Sequence, residues 1–296
     1  MLPAAPKTLG RLSDVFISAL GSITGKANRL GFAKSNKVCV ILVDGLGSDN
    51  LRTAGGHAPF LNAALKASKS INTVFPSTTA SAITSFGVGA TPSRHGILGY
   101  SVYDRESGLT RNLLTGWGEG FEASTFQKLQ TVSDLALESG VQSFTVGPGE
   151  YAGSGFTQLN MSAANYVPAK SFEDRIEAVQ TILASKHASL TYLYFPELDS
   201  IAHSYGVAST EWLTKLEDLD ASIKSLAVSL PKDCGLVVTA DHGIVDDANE
   251  DGFAFLLRFA LLSLFMGISV GLAKFTTTLY ALELGAQGWL LAAMAG

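Results

Sequence analysis

Five short apolar runs, each bounded by turn residues, place the strongest constraint on how this chain can fold. They are rich in β-branched residues and occupy 37 to 43, 71 to 75, 141 to 146, 190 to 195 and 235 to 240. Runs of this length and composition predict buried strands. Stretches with helical periodicity lie among them, at 125 to 139, 171 to 185 and 209 to 230. This alternation predicts an α/β fold, a mostly parallel sheet with helices on both faces.

An aspartate follows three of the predicted strands. Asp44 ends the run VCVILVD, Asp199 follows LTYLYFPEL, and Asp241 follows LVVTA. In an open parallel sheet, ligands bind in the crevice at the carboxyl ends of the strands. Separate strands that deliver carboxylates to the same edge indicate a cation site.

Two histidines accompany these aspartates. His203 comes four residues after Asp199 in DSIAH, and His242 directly follows Asp241 in TADHG. If DSIAH is helical, its aspartate and histidine share one face and can chelate a single ion. Aspartate with histidine is a ligand mixture typical of zinc or manganese. One such pair alone is more often an ordinary hydrogen-bonded pair, so the metal hypothesis depends on the joint placement of both pairs after strands.

The segment NTVFPSTTASAITSFGVG predicts a turn followed by a helix of small residues. The N-terminus of a helix favours an anion, so a threonine hydroxyl placed there is a candidate nucleophile for phosphorus. The alternative is that Ser77, Thr78 or Thr79 only caps the helix.

Composition argues against several classes of protein. The 26 acidic and 21 basic residues give a net charge of -5, without a basic cluster of the kind that tracks a nucleic-acid backbone. Cys39 and Cys234 each lie in an apolar run, KVCVILV and DCGLVVTA, that is typical of a buried strand, which argues against a disulfide framework. The N-terminus lacks an apolar h-region behind a basic n-region. We therefore expect a cytoplasmic protein that binds no polynucleotide.

Four motifs occur in the order found in one family of hydrolases. They are VDGLG, FPSTTASAITSFGVGATPSRHGILGY, PELDSIAH and TADHG, and they span about residues 37 to 245. Through these motifs the chain resembles the nucleotide pyrophosphatase/phosphodiesterase-like family of the alkaline phosphatase superfamily. Several motifs in the correct order are more specific than any one of them. The resemblance implies an alkaline phosphatase-like fold.

The resemblance also implies two divalent metal ions, zinc or alternatively manganese. In that family one ion is held by the nucleophilic threonine and by the residues that match Asp44, Asp241 and His242. Asp199 and His203 match ligands of the other ion.

Motif alignment places the nucleophile, which is also a metal ligand in the family, at Thr79, with Thr78 as the alternative. The implied reaction is hydrolysis of a small phosphate diester or nucleotide phosphoanhydride. The threonine attacks phosphorus, with divalent ions at the entering and leaving oxygens, and water then releases a phosphate monoester. One alternative is a phosphomonoesterase, sulfatase or phosphonate hydrolase of the same superfamily. Another is a truncated, catalytically impaired relative.

Two features depart from the family. Its members usually supply a third ligand to the second ion from a histidine well downstream of the Asp-His pair, and no histidine follows His242 here. The phosphate-contacting asparagine found in many members is also absent, with Tyr100 near its place. We expect an incomplete second metal site and altered substrate contacts. His95, in the SRHG turn, is expected to shape the site rather than to ligate.

The composition changes sharply near residue 252. Residues 252 to 296 carry three charged side chains, whereas the first 251 residues carry the other 44. The segment 253 to 273 contains only one charge, Arg258, and is long enough to cross a hydrocarbon core of about 30 Å. A buried core helix is the alternative, because an arginine is costly within a span. We expect a catalytic domain over 1–251 and a hydrophobic tail over 252–296, which is either a membrane-spanning helix that associates the protein with a membrane or an aberrant C-terminus.

Overall fold

A parallel five-stranded sheet organises the fold. The computed structural model describes residues 10–118, 120–126 and 128–245. The strands among these residues are β1 (Lys37–Val43), β2 (Ser101–Asp104), β3 (Leu109–Asn112), β4 (Gln142–Gly147), β5 (Asn165–Pro168), β6 (Ser189–Phe195) and β7 (Cys234–Ala240). The sheet has the order β5-β4-β6-β1-β7, and every neighbouring pair is parallel. Strands β2 and β3 form a separate antiparallel hairpin.

Helices connect these strands. They are α1 (Val15–Thr24), α2 (Ser48–Thr53), α3 (Pro59–Ala67), α4 (Thr79–Val88), α5 (Pro92–His95), α6 (Ala123–Phe126), α7 (Val132–Glu138), α8 (Gly155–Met161), α9 (Phe172–Ala184), α10 (Glu197–Tyr205) and α11 (Thr210–Ser229). Short 3-10 helices lie at Leu12–Asp14 and Gly149–Tyr151. Four of the five predicted strands and the helices predicted at 171 to 185 and 209 to 230 are confirmed.

Strand β1 is buried on both faces because helices cover both sides of the sheet. Its residues alternate between two core clusters, with Cys39, Ile41 and Val43 in one and Val38 and Leu42 in the other. The first cluster includes apolar residues of α9 and α11, and the second includes residues of α1, α4 and α7. A near-continuous apolar strand is what a doubly covered parallel sheet requires. The predicted α/β fold class is therefore confirmed.

Helix α4 is buried along its whole length. Its N-cap is Thr78, whose side-chain oxygen accepts a hydrogen bond from the Ser81 N–H at 3.4 Å. The buried hydroxyl groups of Thr84 and Ser85 donate to carbonyl groups four residues earlier, at 2.7 and 2.8 Å. These bonds satisfy the polar side chains within the helix. The small-residue sequence thus allows a polar helix to pack inside the protein with Thr79 in its first turn.

The prediction of a strand at 71 to 75 is wrong. The chain makes only an isolated bridge there, between Arg11 and Asn72, and continues into Pro76 through a cis peptide bond. A proline has no N–H to donate to a ladder, which limits pairing at this end. The apolar residues of the segment have other surroundings, since Val74 is buried in the core cluster that contains α1 and α4, whereas Phe75 is exposed.

The helix predicted at 125 to 139 is two separate helices, α6 and α7. Thr131 starts α7 through a capping box, in which its side chain and that of Asp134 each accept a backbone N–H of the other. A capping box marks a helix start, so it divides the stretch. Strand β5 and the β2–β3 hairpin were not predicted. These strands are short and contain no buried residue, and their sequences carry no apolar run from which a strand could be predicted.

The predicted domain boundary at 251 and the apolar segment 253 to 273 lie outside the described residues. Within the described part of the chain, no helix is both long and apolar enough to span a membrane.

Tight packing between α4 and α8 predicts the effect of a single methyl group. A Cβ atom at Gly87 would lie 2.6 Å from the backbone oxygen of Asn160, so one of the helices must shift. We expect Gly87→Ala to lower the free energy of unfolding by about 1 to 3 kcal/mol despite the better helix propensity of alanine. Urea denaturation measures this. Gly56→Ala is the matched control, because its Cβ would meet open space and should change stability by less than about 0.5 kcal/mol. Equal stability of the two variants would contradict the prediction.

Candidate active site

Strand pairing places Asp44 beside Asp241. Strand β1 pairs with β7 in the register Val43↔Ala240, and each of these residues is followed directly by an aspartate. Both aspartates are buried, Asp44 at 3% exposure and Asp241 at 0%. Two carboxylates predicted from separate parts of the sequence therefore lie together at the carboxyl edge of the sheet.

Backbone N–H groups hold one oxygen of Asp241. Its Oδ1 accepts hydrogen bonds from the N–H of Gly45 at 3.1 Å and of His242 at 2.9 Å. Its Oδ2 accepts no hydrogen bond from a described residue. The Thr73 hydroxyl donates to the Asp241 backbone carbonyl. The carboxylate is therefore fixed by one oxygen and leaves the other free for a ligand.

The loops that follow β1 and β7 pack directly on each other. A Cβ atom at Gly47 would lie 2.6 Å from the Cα atom of Gly243, so only glycine fits this approach. Asn50 fastens the second loop, because its side chain donates to the Ile244 carbonyl at 2.7 Å and accepts from the Ile244 N–H at 3.1 Å. The glycines of the VDGLG and TADHG motifs thus allow the two aspartate-bearing loops to meet.

His242 completes a group of three potential ligands. Its Nε2 lies 3.3 Å from Asp44 Oδ1 and 3.4 Å from Asp241 Oδ2. Each of the three side chains offers a ligand atom within 4.8 Å of the others, and this is the one such group among the residues that the structure describes.

Thr79 points its hydroxyl group at the same place. Its Oγ1 lies 3.1 Å from His242 Nε2 and 3.1 Å from the Tyr100 hydroxyl. The capping alternative applies to Thr78, which takes the N-cap position and so leaves the Thr79 hydroxyl for other contacts. The structure therefore brings together Asp44, Thr79, Asp241 and His242, the four residues expected at the first ion.

The electrostatics of this group favour a cation. Burial raises the pKa of Asp44 well above its usual range, and the charge of Asp241 raises it further. Burial also raises the pKa of Asp241, to about 6. Asp44 Oδ1 and Asp241 Oδ2 are buried without a hydrogen bond from the described part of the chain. Buried carboxylates in this state are costly unless a cation neutralises them. With oxygen ligands and one imidazole, the residues present fit zinc or manganese.

Asp199 and His203 lie on α10, next to this group but not within it. His203 Nε2 is 3.5 Å from Asp199 Oδ2, the i,i+4 arrangement that the sequence predicts, and the His203 side chain is 72% exposed. Asp199 lies against the turn after β1, where its Oδ1 would be 3.1 Å from a Cβ atom at Gly45. Its charge raises the pKa of both Asp44 and Asp241. The second pair of predicted ligands is formed, but no third ligand joins it among the described residues.

Two tyrosines also contact the site, although the sequence motifs assign neither of them a role as ligand or nucleophile. Tyr194 donates from its hydroxyl group to Asp44 Oδ2 at 2.5 Å, and Tyr100 contacts Thr79. Tyr194 is the penultimate residue of β6, at the carboxyl end of the sheet and opposite Leu42 in register. Its place near the end of a strand is the signal in the sequence that could have identified it.

His95 has the structural role expected of it. Its Nδ1 accepts a hydrogen bond from the Ile97 N–H at 3.1 Å, so Nε2 carries the proton and donates to Ser85 Oγ at 2.7 Å. Ser85 in turn donates to the Ser81 carbonyl. Burial lowers the pKa of His95 to about 4, so the ring is neutral near pH 7. Both ring nitrogens are used in holding α4 to the following turn.

Comparisons with known proteins find similar sequences and similar folds. The sequence pattern of the family described as "Type I phosphodiesterase / nucleotide pyrophosphatase" matches residues 38–272. The human protein "Ectonucleotide pyrophosphatase/phosphodiesterase family member 1" is 27% identical over 219 residues, which are 68% of this chain and 23% of that protein. This chain therefore spans about a quarter of the length of that relative.

Solved structures of murine ectonucleotide pyrophosphatase/phosphodiesterase 5 are similar in fold. One matches with a TM-score of 0.54 at 22% identity. Another, an inactive threonine-to-alanine variant in complex with AMP, matches with a TM-score of 0.52 at 21% identity. Each match covers 70% of this chain and 57% of the solved chain. The alkaline phosphatase-like α/β fold that the motifs imply is thereby confirmed.

The raised pKa of Asp241 predicts how the stability of metal-stripped protein depends on pH. Because the folded-state pKa is about 6 and the usual value is 3.8, the folded state binds more protons between these values. The contribution of this group is therefore fully present below pH 3.8 and is lost as pH rises through about 6. We expect Asp241→Asn, which cannot ionise, to gain stability relative to the wild type over this window, by on the order of 2 kcal/mol. Thermal melts of both proteins in a chelator measure the difference. A difference that is independent of pH would contradict the assigned shift.

Proposed function

Because the chain belongs to the type I phosphodiesterase / nucleotide pyrophosphatase family, we propose that it hydrolyses small phosphate diesters or nucleotide phosphoanhydrides with Thr79 as the nucleophile. The observation that carries this proposal is the position of Thr79 Oγ1, 3.1 Å from His242 Nε2, in a group that also contains the carboxylates of Asp44 and Asp241. A hydroxyl group beside a cation site, at the start of a buried helix, is suited to attack an anionic phosphorus centre.

The proposed metal ligands follow from the same geometry. Asp44, Thr79, Asp241 and His242 would hold one divalent ion, and Asp199 and His203 would contribute to a second. Zinc is the proposed metal and manganese the alternative. When bound, such ions supply positive charge for the entering and leaving oxygens of an in-line displacement. Among the described residues the second position has two candidate ligands, one of them an exposed histidine, which supports weaker binding there than at the first.

The residues around Thr79 orient the attacking oxygen. Its hydroxyl group lies between Tyr100 and His242, at 3.1 Å from each, which restricts the directions in which Oγ1 can point. The positive end of α4 favours an anionic phosphoryl group in front of it. In the first step Oγ1 loses its proton and forms a bond to phosphorus, while the bond from phosphorus to the leaving alcohol or phosphate breaks and the leaving oxygen takes up a proton. Water then cleaves the bond to Thr79 and releases the phosphate monoester.

The charges near Thr79 favour a diester over a monoester. Its neighbour Tyr100 is not a cationic residue such as arginine or lysine, and the charges of Asp199 and Asp241 both act on the buried Asp44. A diester brings one negative charge to this site, whereas a monoester brings up to two. The site thus supports the diesterase proposal better than the phosphomonoesterase alternative.

Cytoplasmic localisation, with membrane association through 253 to 273, stays a prediction from the sequence, because that segment lies outside the described residues. The substrate is proposed as a small phosphoester or nucleotide on the basis of the family.

Replacing each of the two adjacent threonines separates nucleophile from helix cap. We expect Thr79→Ala to lower turnover of bis-p-nitrophenyl phosphate by about 10³-fold or more, because the attacking oxygen is lost. Thr78→Ala is the matched control. It should lose about 1 kcal/mol of stability with the N-cap but keep turnover within several-fold of the wild type. If turnover were lost in Thr78→Ala and kept in Thr79→Ala, the nucleophile would be Thr78.

Substrate preference tests the reaction class. We expect a higher kcat/KM for bis-p-nitrophenyl phosphate than for p-nitrophenyl phosphate, with metal content measured on the same preparation by elemental analysis. A preference for the monoester would support the phosphomonoesterase alternative. Turnover of neither ester, with one ion or none per chain, would support a catalytically impaired relative and overturn the proposal.

A further inference from the structure

The two oxygens of the Asp44 carboxylate have different surroundings. Oδ2 accepts the hydrogen bond from the Tyr194 hydroxyl at 2.5 Å. Oδ1 accepts none from the described residues and lies 3.3 Å from His242 Nε2, within the candidate cation site. An ionised carboxylate only accepts, so Tyr194 is the donor of a short, charge-assisted bond. One oxygen is thus occupied by protein and the other is left for a cation.

Tyr194 is itself held firmly. It lies within β6, paired with Leu42 of β1, and its ring packs between those of Tyr151 and Tyr192, with centroid distances of 6.0 and 5.9 Å. The backbone carbonyl of Tyr194 accepts a hydrogen bond from the buried guanidinium of Arg175 at 3.4 Å. The hydroxyl group is therefore delivered from a fixed strand rather than from a mobile loop.

We propose that Tyr194 is a positioning residue of the metal site, which leaves Asp44 with one oxygen to offer and so favours zinc over larger ions such as calcium. Zinc is usually held by four protein or water ligands, whereas calcium takes six to eight oxygens and uses bidentate carboxylates. A carboxylate with one oxygen already bound to a phenol therefore suits zinc better than calcium. This inference rests on the proposed function, because it requires a cation at Asp44, Asp241 and His242.

Tyr194→Phe tests the inference, since it removes the hydroxyl group and keeps the packed ring. The matched control is Tyr166→Phe, which removes a hydroxyl group that donates to the Pro148 carbonyl at 2.6 Å instead of to a carboxylate. Zinc and calcium dissociation constants are measured by calorimetry on metal-stripped wild type and both variants, with circular dichroism to check folding. We expect Tyr194→Phe to weaken zinc binding by about 10- to 100-fold and to lower the preference for zinc over calcium, while Tyr166→Phe changes neither.

The outcomes separate this inference from the function on which it rests. Wild-type protein that binds no zinc would overturn the proposed metal site and the role of Tyr194 with it. Wild-type protein that binds zinc, with unchanged affinity and selectivity in Tyr194→Phe, would overturn the role of Tyr194 alone. Equal weakening of zinc and calcium binding in Tyr194→Phe would also overturn the role of Tyr194. A general loss of packing would weaken both ions alike and leave the ratio of their dissociation constants unchanged.

Discussion

Burial of two adjacent carboxylates is the interaction on which the rest of the site depends. Asp44 and Asp241 lie at the ends of paired parallel strands, and each retains an oxygen without a hydrogen bond from the described residues. An ionised group removed from water costs several kcal/mol unless it is compensated. Backbone N–H groups, a tyrosine hydroxyl and an imidazole compensate part of this cost, and a divalent ion would compensate the rest. The fold therefore buries two carboxylates whose negative charge a divalent cation would neutralise.

The surrounding elements serve this arrangement. Glycines after β1 and β7 let the two aspartate-bearing loops touch, and Asn50 ties them through Ile244. On the other side, the sequence of small residues in α4 allows that helix to be buried, and its N-cap Thr78 leaves the next hydroxyl group directed at His242. Rigid strands and a capped helix hold a reactive group more precisely than loops do. The proposed nucleophile and the candidate cation site therefore lie side by side.

The second pair of proposed ligands, Asp199 and His203, is held less firmly by the surrounding protein. Asp199 lies against the first group, but His203 is largely exposed and its contact with Asp199 is 3.5 Å. The residues proposed for the first ion are therefore held by several elements, whereas Asp199 and His203 both lie on one short helix.

The sequence by itself determined four strands of the central sheet, the order of the motifs and which residue types could act as ligands. Alternation of apolar runs with helical periodicity is a local property, so the sheet at β1, β4, β6 and β7 could be predicted. Short, half-exposed elements such as β5 could not be predicted, because they carry no apolar run. The run at 71 to 75 is a loop in which Val74 is buried and Phe75 is exposed, so its apolar composition alone did not distinguish it from a strand. The sequence left Thr78 and Thr79 as alternatives, and only the tertiary structure separated the helix cap from the residue facing His242. It also revealed Tyr194, 150 residues from Asp44 along the chain. Contacts of this kind follow from strand register, which brings distant segments together and cannot be read from the local sequence of either segment.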